Sequence, residues 1–153
     1  MREVIIVITK VGTKIMLQNQ KATHTKQSLY NLIGGENGTS NLVKVFYDIV
    51  ETSPEGQILL LLHLRGNGVA HSRIEQFNFL SGFFSGPRLY MEKHGHANVR
   101  TMHEHVEINK EAKDAWLKCM SMAIDAIGYE ENLKNTLILS FTSIAERLVN
   151  LED

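Results

Sequence analysis

Six of the seven histidines fall between His63 and His105, and four of them, His94, His96, His103 and His105, crowd into one short stretch. Imidazole is a common neutral metal ligand, so the first chemistry this spacing suggests is a metal site. Zinc takes three or four His, Cys or acidic ligands in a tetrahedral array. The two His-x-His pairs could contribute, but His103-Glu104-His105 is not the His-Glu-x-x-His helix motif, and Cys119 has no second cysteine. The competing reading is a set of loop histidines, one or two with structural roles. Nucleophilic chemistry is less supported still. No Gly-x-Ser-x-Gly elbow, phosphate-binding loop or Gly-x-Gly-x-x-Gly turn is present. Cys119 falls on the apolar stripe of a helix beside Trp116, which suits a packed thiol. Neither reading explains Tyr47, Gln76 and Trp116, which carry hydrogen-bonding groups at positions that read as buried.

The elements that must position these side chains read as helices. Ser28 to Ile33 is a short helix stopped by Gly34-Gly35, and Thr39 or Ser40 can cap the next, with Leu42, Val43, Phe46, Ile49 and Val50 on one face. Thr52 to Gly56, around Pro54, ends it. Ile58 to Leu62 is too short and too apolar to assign by period. After Gly66-Asn67-Gly68, His71 or Ser72 opens a helix carrying Ile74, Phe77, Leu80 and Phe84, closed by Gly86-Pro87. Asn109 can cap a helix with the stripe Ala112, Ala115, Trp116, Cys119, Ala123 and Ile127, ending at Gly128. The last helix places Leu133, Leu137, Phe141, Ile144, Leu148 and Leu151 at helical steps. Between Gly86 and Asn109 the amphipathic period lapses, and such irregular stretches inside compact domains are usually functional or disordered. The expectation is an all-α fold, with residues 1–26 as an N-terminal extension and residues 27–153 as the domain.

Composition mainly excludes. The chain has 153 residues, 43% hydrophobic and 22% charged, enough for one domain with its own core. Sixteen basic and seventeen acidic residues leave a formal charge of -1, without the basic face that nucleic-acid binding requires. One cysteine rules out an internal disulfide and suits a reducing cytoplasm. The apolar run Val4 to Ile8 is shorter than the roughly 7–15 residues of a signal-peptide core. No stretch approaches the roughly 20 apolar residues of a membrane span. A cytoplasmic protein without nucleic-acid or membrane partners is expected.

One ordered set of motifs resembles a known family. Gly34-Gly35, Phe46-Tyr47-Asp48, Phe79-Leu80-Ser81-Gly82, Gly86-Pro87-Arg88-Leu89-Tyr90, His94-Gly95-His96, Arg100-Thr101-Met102-His103 and Asp114-Ala115-Trp116-Leu117-Lys118-Cys119-Met120 follow one another as in the group II truncated haemoglobins. The resemblance covers roughly residues 27 to 150. It implies a two-over-two helical sandwich enclosing haem b, with dioxygen or another diatomic molecule as ligand and an unidentified reductase as partner. It is compatible with a monomer or a homodimer. Carried over by position, His103 matches the proximal iron ligand, a role suited to neutral imidazole. Tyr47, His63, Ser72, Gln76 and Trp116 match the distal positions that stabilise the bound ligand. Phe46, Phe77, Phe79, Leu80, Phe83 and Val106 are implied as apolar haem contacts, and Arg88, Tyr90, His96 and Arg100 as contacts at its polar edge. His71 and His105 are expected at the periphery.

This chain also departs from the family. Glu104-His105-Val106-Glu107-Ile108 stands where a Leu-Pro-Phe-Pro-Ile-like stretch is usual, which leaves Val106 as the wall there. Met102 and Glu75 occupy positions that are commonly basic. Haem carboxylates must then rely on Arg88, Tyr90 or Arg100. Two further functions stay open. One is a haem enzyme of peroxidase-like or nitric oxide dioxygenase type. The other is a helical interaction or sensing module without haem.

Overall fold

The first corner of the chain is set by glycines. In the computed structural model, which describes residues 27–150, α1 spans Leu29–Leu32 and is capped by Ser28, whose hydroxyl accepts from the Asn31 amide at 3.2 Å. Gly34 then turns with φ +106°, a left-handed conformation that suits glycine. A Cβ on Gly38 would lie 1.8 Å from the Ile33 carbonyl oxygen, so the two helices meet backbone to backbone. The expected start at Thr39 or Ser40 is corrected: α2 runs Gly35–Thr52. Thr39 is instead buried in its first turns, its hydroxyl donating back to the Gly35 carbonyl at 2.8 Å. The glycines bend the chain between two helices and do not delay the second. The expected N-terminal extension, residues 1–26, lies outside the described residues, as does Leu151.

A single 3₁₀ turn, Pro54–Gly56, leads into α3, Gln57–Arg65, so the segment that periodicity could not assign is helical. Helix α4, Val69–Phe83, begins two residues before His71, with the Ser72 amide donating to the Gly68 carbonyl at 3.1 Å. The irregular-looking stretch resolves into α5, Leu89–His94, and α6, Val99–Met102, the latter capped by the Asn98 side chain. Helix α7, Lys110–Ile127, is capped as expected by Asn109, which accepts from the Ala112 amide at 2.9 Å, and it ends at Gly128. Helix α8 is Glu131–Glu146.

The fold is all-α among the described residues. Helix α2 packs on both α4 and α7, and α7 packs on α8, giving two helix pairs laid one over the other. Their shared core holds Leu42, Phe46, Val50, Cys119, Ala123, Ile124, Leu137 and Phe141, all buried. Each large apolar side chain here contributes about 1.5–3 kcal/mol by leaving water. The short helices α5 and α6 are not part of that core, and they carry the segment leading to His103.

Candidate functional site

A cavity of about 380 Å³ opens among helices α2 to α8. Its polar wall comes from three helices. Tyr47 is buried on α2, and its hydroxyl donates to Gln76 Oε1 on α4 at 3.1 Å while standing 3.3 Å from His63 Nε2 on α3. Burial holds the Tyr47 hydroxyl far above its ordinary range, against the Ser72 hydroxyl and the Arg73 charge, so it stays protonated. His63 Nδ1 lies 2.6 Å from the Leu59 carbonyl oxygen, which can only accept. The Nδ1 proton is thereby fixed. Burial also keeps the ring below its usual pKa, so it is neutral and its Nε2 is an acceptor.

Tyr47 therefore has one proton and two acceptors. Committing it to Gln76 Oε1 orients that amide and leaves Gln76 Nε2 buried with no hydrogen-bond partner. An orphaned buried donor costs about 1–3 kcal/mol, which makes it a place where a ligand acceptor gains. Trp116 lines the same cavity from α7, held by Phe46 and Phe141 with ring centroids 5.5 Å away in each case. Outside, the Arg73 guanidinium sits 5.5 Å from the Tyr47 ring centroid and is paired with Asp48 at 2.9 Å and Glu51 at 2.6 Å.

His103 enters the cavity from the residue just after α6. Its Nδ1 is 2.7 Å from the Val99 carbonyl oxygen, so that nitrogen carries the proton and Nε2 keeps its lone pair. Burial, together with the His105 and His63 rings, holds it below the ordinary imidazole range despite that hydrogen bond. The segment behind it is fastened by Asn150. The Asn150 side chain accepts from the Ile108 amide at 2.7 Å and donates to the Val106 carbonyl at 2.9 Å and the His103 carbonyl at 3.4 Å. At the rim Glu75 is paired with Lys93 and, at 2.6 Å, with His94, whose ring stacks on Tyr90 with centroids 4.3 Å apart. Burial raises the Glu75 pKa, but those two partners more than offset it and keep the carboxyl ionised.

This arrangement has relatives. Residues 28–150 match the family model for the bacterial-like globins. The chain belongs to that family. It is 34% identical over 116 residues to the group 2 truncated hemoglobin YjbI of Bacillus subtilis (strain 168), covering 76% of this chain and 84% of that one. It superposes on the group II 2-on-2 hemoglobin of Agrobacterium tumefaciens with a TM-score of 0.77 and 27% identity, over 84% of this chain and 97% of that one. The truncated oxygen-avid haemoglobin of Bacillus subtilis gives 0.72 and 33%, over 81% and 100%. The stacked helix pairs are thus the two-over-two sandwich of the truncated globins.

In this globin the cavity gathers Tyr47, His63, Ser72, Gln76, Trp116, His103, Phe79, Leu80, Tyr90 and Val106, all expected from sequence. Phe46, Phe77, Phe83, Arg88, His96 and Arg100 do not line it. Phe46 is fully buried behind it, edge-on to Tyr47 at 4.9 Å. Phe77 packs against the core, and Phe83 stacks on both Phe79 and Phe141 at 5.7 Å. His96 Nδ1 accepts from the Asn98 amide at 3.1 Å, and Arg88 and Arg100 face a neighbouring cavity. Five histidines, His63, His71, His94, His103 and His105, line this cavity, yet among the described residues no cluster of three or more His, Cys, Asp or Glu could hold a metal ion. His71 and His105 are exposed yet line the cavity, which places them at its mouth. Lys113 and Asn150 were not anticipated. Lys113 stands three residues before Trp116 and so shares its helix face, a spacing visible in sequence. Asn150 carries no such signal, because its partners are more than forty residues away.

Proposed function

We propose that this globin binds haem b in the first cavity through His103 Nε2 and retains dioxygen or another diatomic ligand against Gln76 and Trp116, with Tyr47 orienting the Gln76 amide. The observation that carries it is the pairing, in one cavity, of a neutral imidazole with a free nitrogen and a buried amide with no partner. The residues present fit the cofactor. Phe79, Leu80, Val106 and Leu148 supply apolar wall, and Tyr90, His94 and Lys113 supply polar groups within the lining. When bound, haem would supply an iron that accepts an imidazole nitrogen and binds a small ligand.

The chain's own groups then divide the work. Val99 fixes the His103 tautomer, Leu59 fixes that of His63, and Tyr47 aims the Gln76 amide. Gln76 Nε2 and the Trp116 indole N–H are the donors available to a ligand with anionic character. The oxygen avidity of the Bacillus subtilis haemoglobin supports retention over rapid delivery. Residues 27–153 form the working domain, which acts in the cytoplasm with an unidentified reductase as electron donor.

The absorption spectrum decides. Protein purified with haem should show a Soret band that shifts on adding carbon monoxide. His103→Gly should lose the iron–histidine stretching band while keeping its helical circular dichroism. A haem-supplemented preparation with no Soret shift would sink the reading.

A further inference from the structure

Tyr47, His63 and Gln76 can share their protons in two ways. The Tyr47 hydroxyl lies 3.1 Å from Gln76 Oε1 and 3.3 Å from His63 Nε2, with one proton for the two. When that proton goes to Gln76, two groups are left without a partner. One is the Gln76 Nε2 donor; the other is the His63 Nε2 acceptor, since Nδ1 holds the ring's proton against Leu59. A second arrangement of the same atoms pairs both. The hydroxyl turns to His63, and the Gln76 amide inverts about its last side-chain bond. Its Nε2 then donates to the Tyr47 oxygen, and its Oε1 stands free. The two ends of an amide are nearly the same size, so the inversion needs no repacking. The Tyr47 oxygen has two lone pairs, which lets the Ser72 hydroxyl donate to it in either arrangement. All three side chains line the first cavity, so the inversion replaces a donor in its wall by an acceptor.

We propose that these three side chains form a reversible donor–acceptor switch, through which the first cavity takes small neutral amines as well as ligands that only accept. This rests on haem binding in that cavity through His103. Cyanide binds iron through carbon and is left with an accepting nitrogen, which selects the arrangement with Gln76 Nε2 free. Methylamine gives its lone pair to iron and is left with N–H donors alone, which selects the inverted one. His63 stabilises the amine without touching it, by receiving the Tyr47 proton that the inversion displaces.

Equilibrium titration of the ferric, haem-loaded protein with cyanide and with methylamine, counted as free base, tests it. His63→Leu removes the second acceptor, so the inversion would leave the buried Tyr47 proton unpaired. The ratio of methylamine to cyanide affinity should fall roughly 5- to 150-fold, the penalty for an orphaned buried donor. In a Tyr47→Phe background there is no proton to displace. There the same His63→Leu change should leave the ratio where Tyr47→Phe alone puts it. A second readout needs no iron. In protein loaded with diamagnetic cobalt(III) protoporphyrin, exchanging cyanide for methylamine should move the His63 Nε2 nitrogen resonance to its hydrogen-bonded position. Three results would each overturn the switch: a ratio unmoved by His63→Leu, a fall that persists in the Tyr47→Phe background, or one resonance position in both complexes. The persistent fall would mean that His63 accepts from the amine directly. A preparation with no Soret band, read before any titration, would instead overturn haem binding itself and the switch with it.

Discussion

At the scale of single residues, the decisive fact is that Tyr47 has one proton to give and spends it inside the protein. The hydroxyl looks from sequence like the direct donor to a bound ligand. Its 3.1 Å hydrogen bond to Gln76 Oε1 makes it the group that aims another donor. Gln76→Leu should therefore speed dioxygen dissociation from the haem-loaded protein roughly 10- to 150-fold, the equivalent of about 1.5–3 kcal/mol for a hydrogen bond to a charged acceptor. Tyr47→Phe should speed it less, because the amide remains and only its orientation is lost. Residues acting in series are not additive. Stopped-flow measurement on Tyr47→Phe with Gln76→Leu should match Gln76→Leu alone; a further, multiplicative acceleration would show that Tyr47 touches the ligand itself. Polar groups at buried-looking positions singled out Tyr47, Gln76 and Trp116, and the resemblance to the truncated haemoglobins is what joined them into one distal set. Which of them keeps a free donor was not legible, since that depends on where His63 and Gln76 Oε1 stand.

At the scale of elements, the helices with strong apolar period were readable and their junctions were not. Asn109 capping α7 follows from local chemistry, and so does the stop at Gly128. The start of α2 does not, because Gly34 and Gly38 join two helices at a corner that only backbone packing defines. The same limit applies to the segment after His103. It has no amphipathic stripe, and it is held by Asn150 at the far end of the chain. Asn150→Ala leaves the Ile108 amide and the Val106 carbonyl without these partners. It should cost about 1–3 kcal/mol in urea unfolding and speed haem loss to an acceptor globin. Asn150→Asp keeps the acceptor for Ile108 but loses both donors, and should fall between wild type and alanine. If the two variants lose haem at the wild-type rate, the fastening of this segment does not hold His103 in place.

At the scale of the whole molecule, the two stacked helix pairs bury titratable groups as well as apolar ones, and this bounds stability from both sides of pH. His63 and His103 are held below the imidazole value of 6.5, chiefly by burial. Below that pH the unfolded chain binds protons at these rings that the folded chain refuses. Their contribution is whole above about 6.5 and drains as pH falls towards the folded values. On the alkaline side the sign reverses. Cys119 is pushed from 9.0 up to about 11 by burial and the Glu55 charge, and Tyr47 is raised further. The unfolded chain releases those protons first, so stability is lost as pH climbs from about 9 towards 11. A plateau between pH 7 and 8.5 follows, with an acid limb of up to about 1.4 kcal/mol per pH unit for each histidine. Urea midpoints of the haem-free chain across pH 5 to 10.5 read both limbs. His63→Gln should make the acid limb shallower and leave the alkaline one alone, and Cys119→Ala should do the reverse, whatever each costs at the plateau. Parallel curves for wild type and both variants would mean that the limbs belong to other groups.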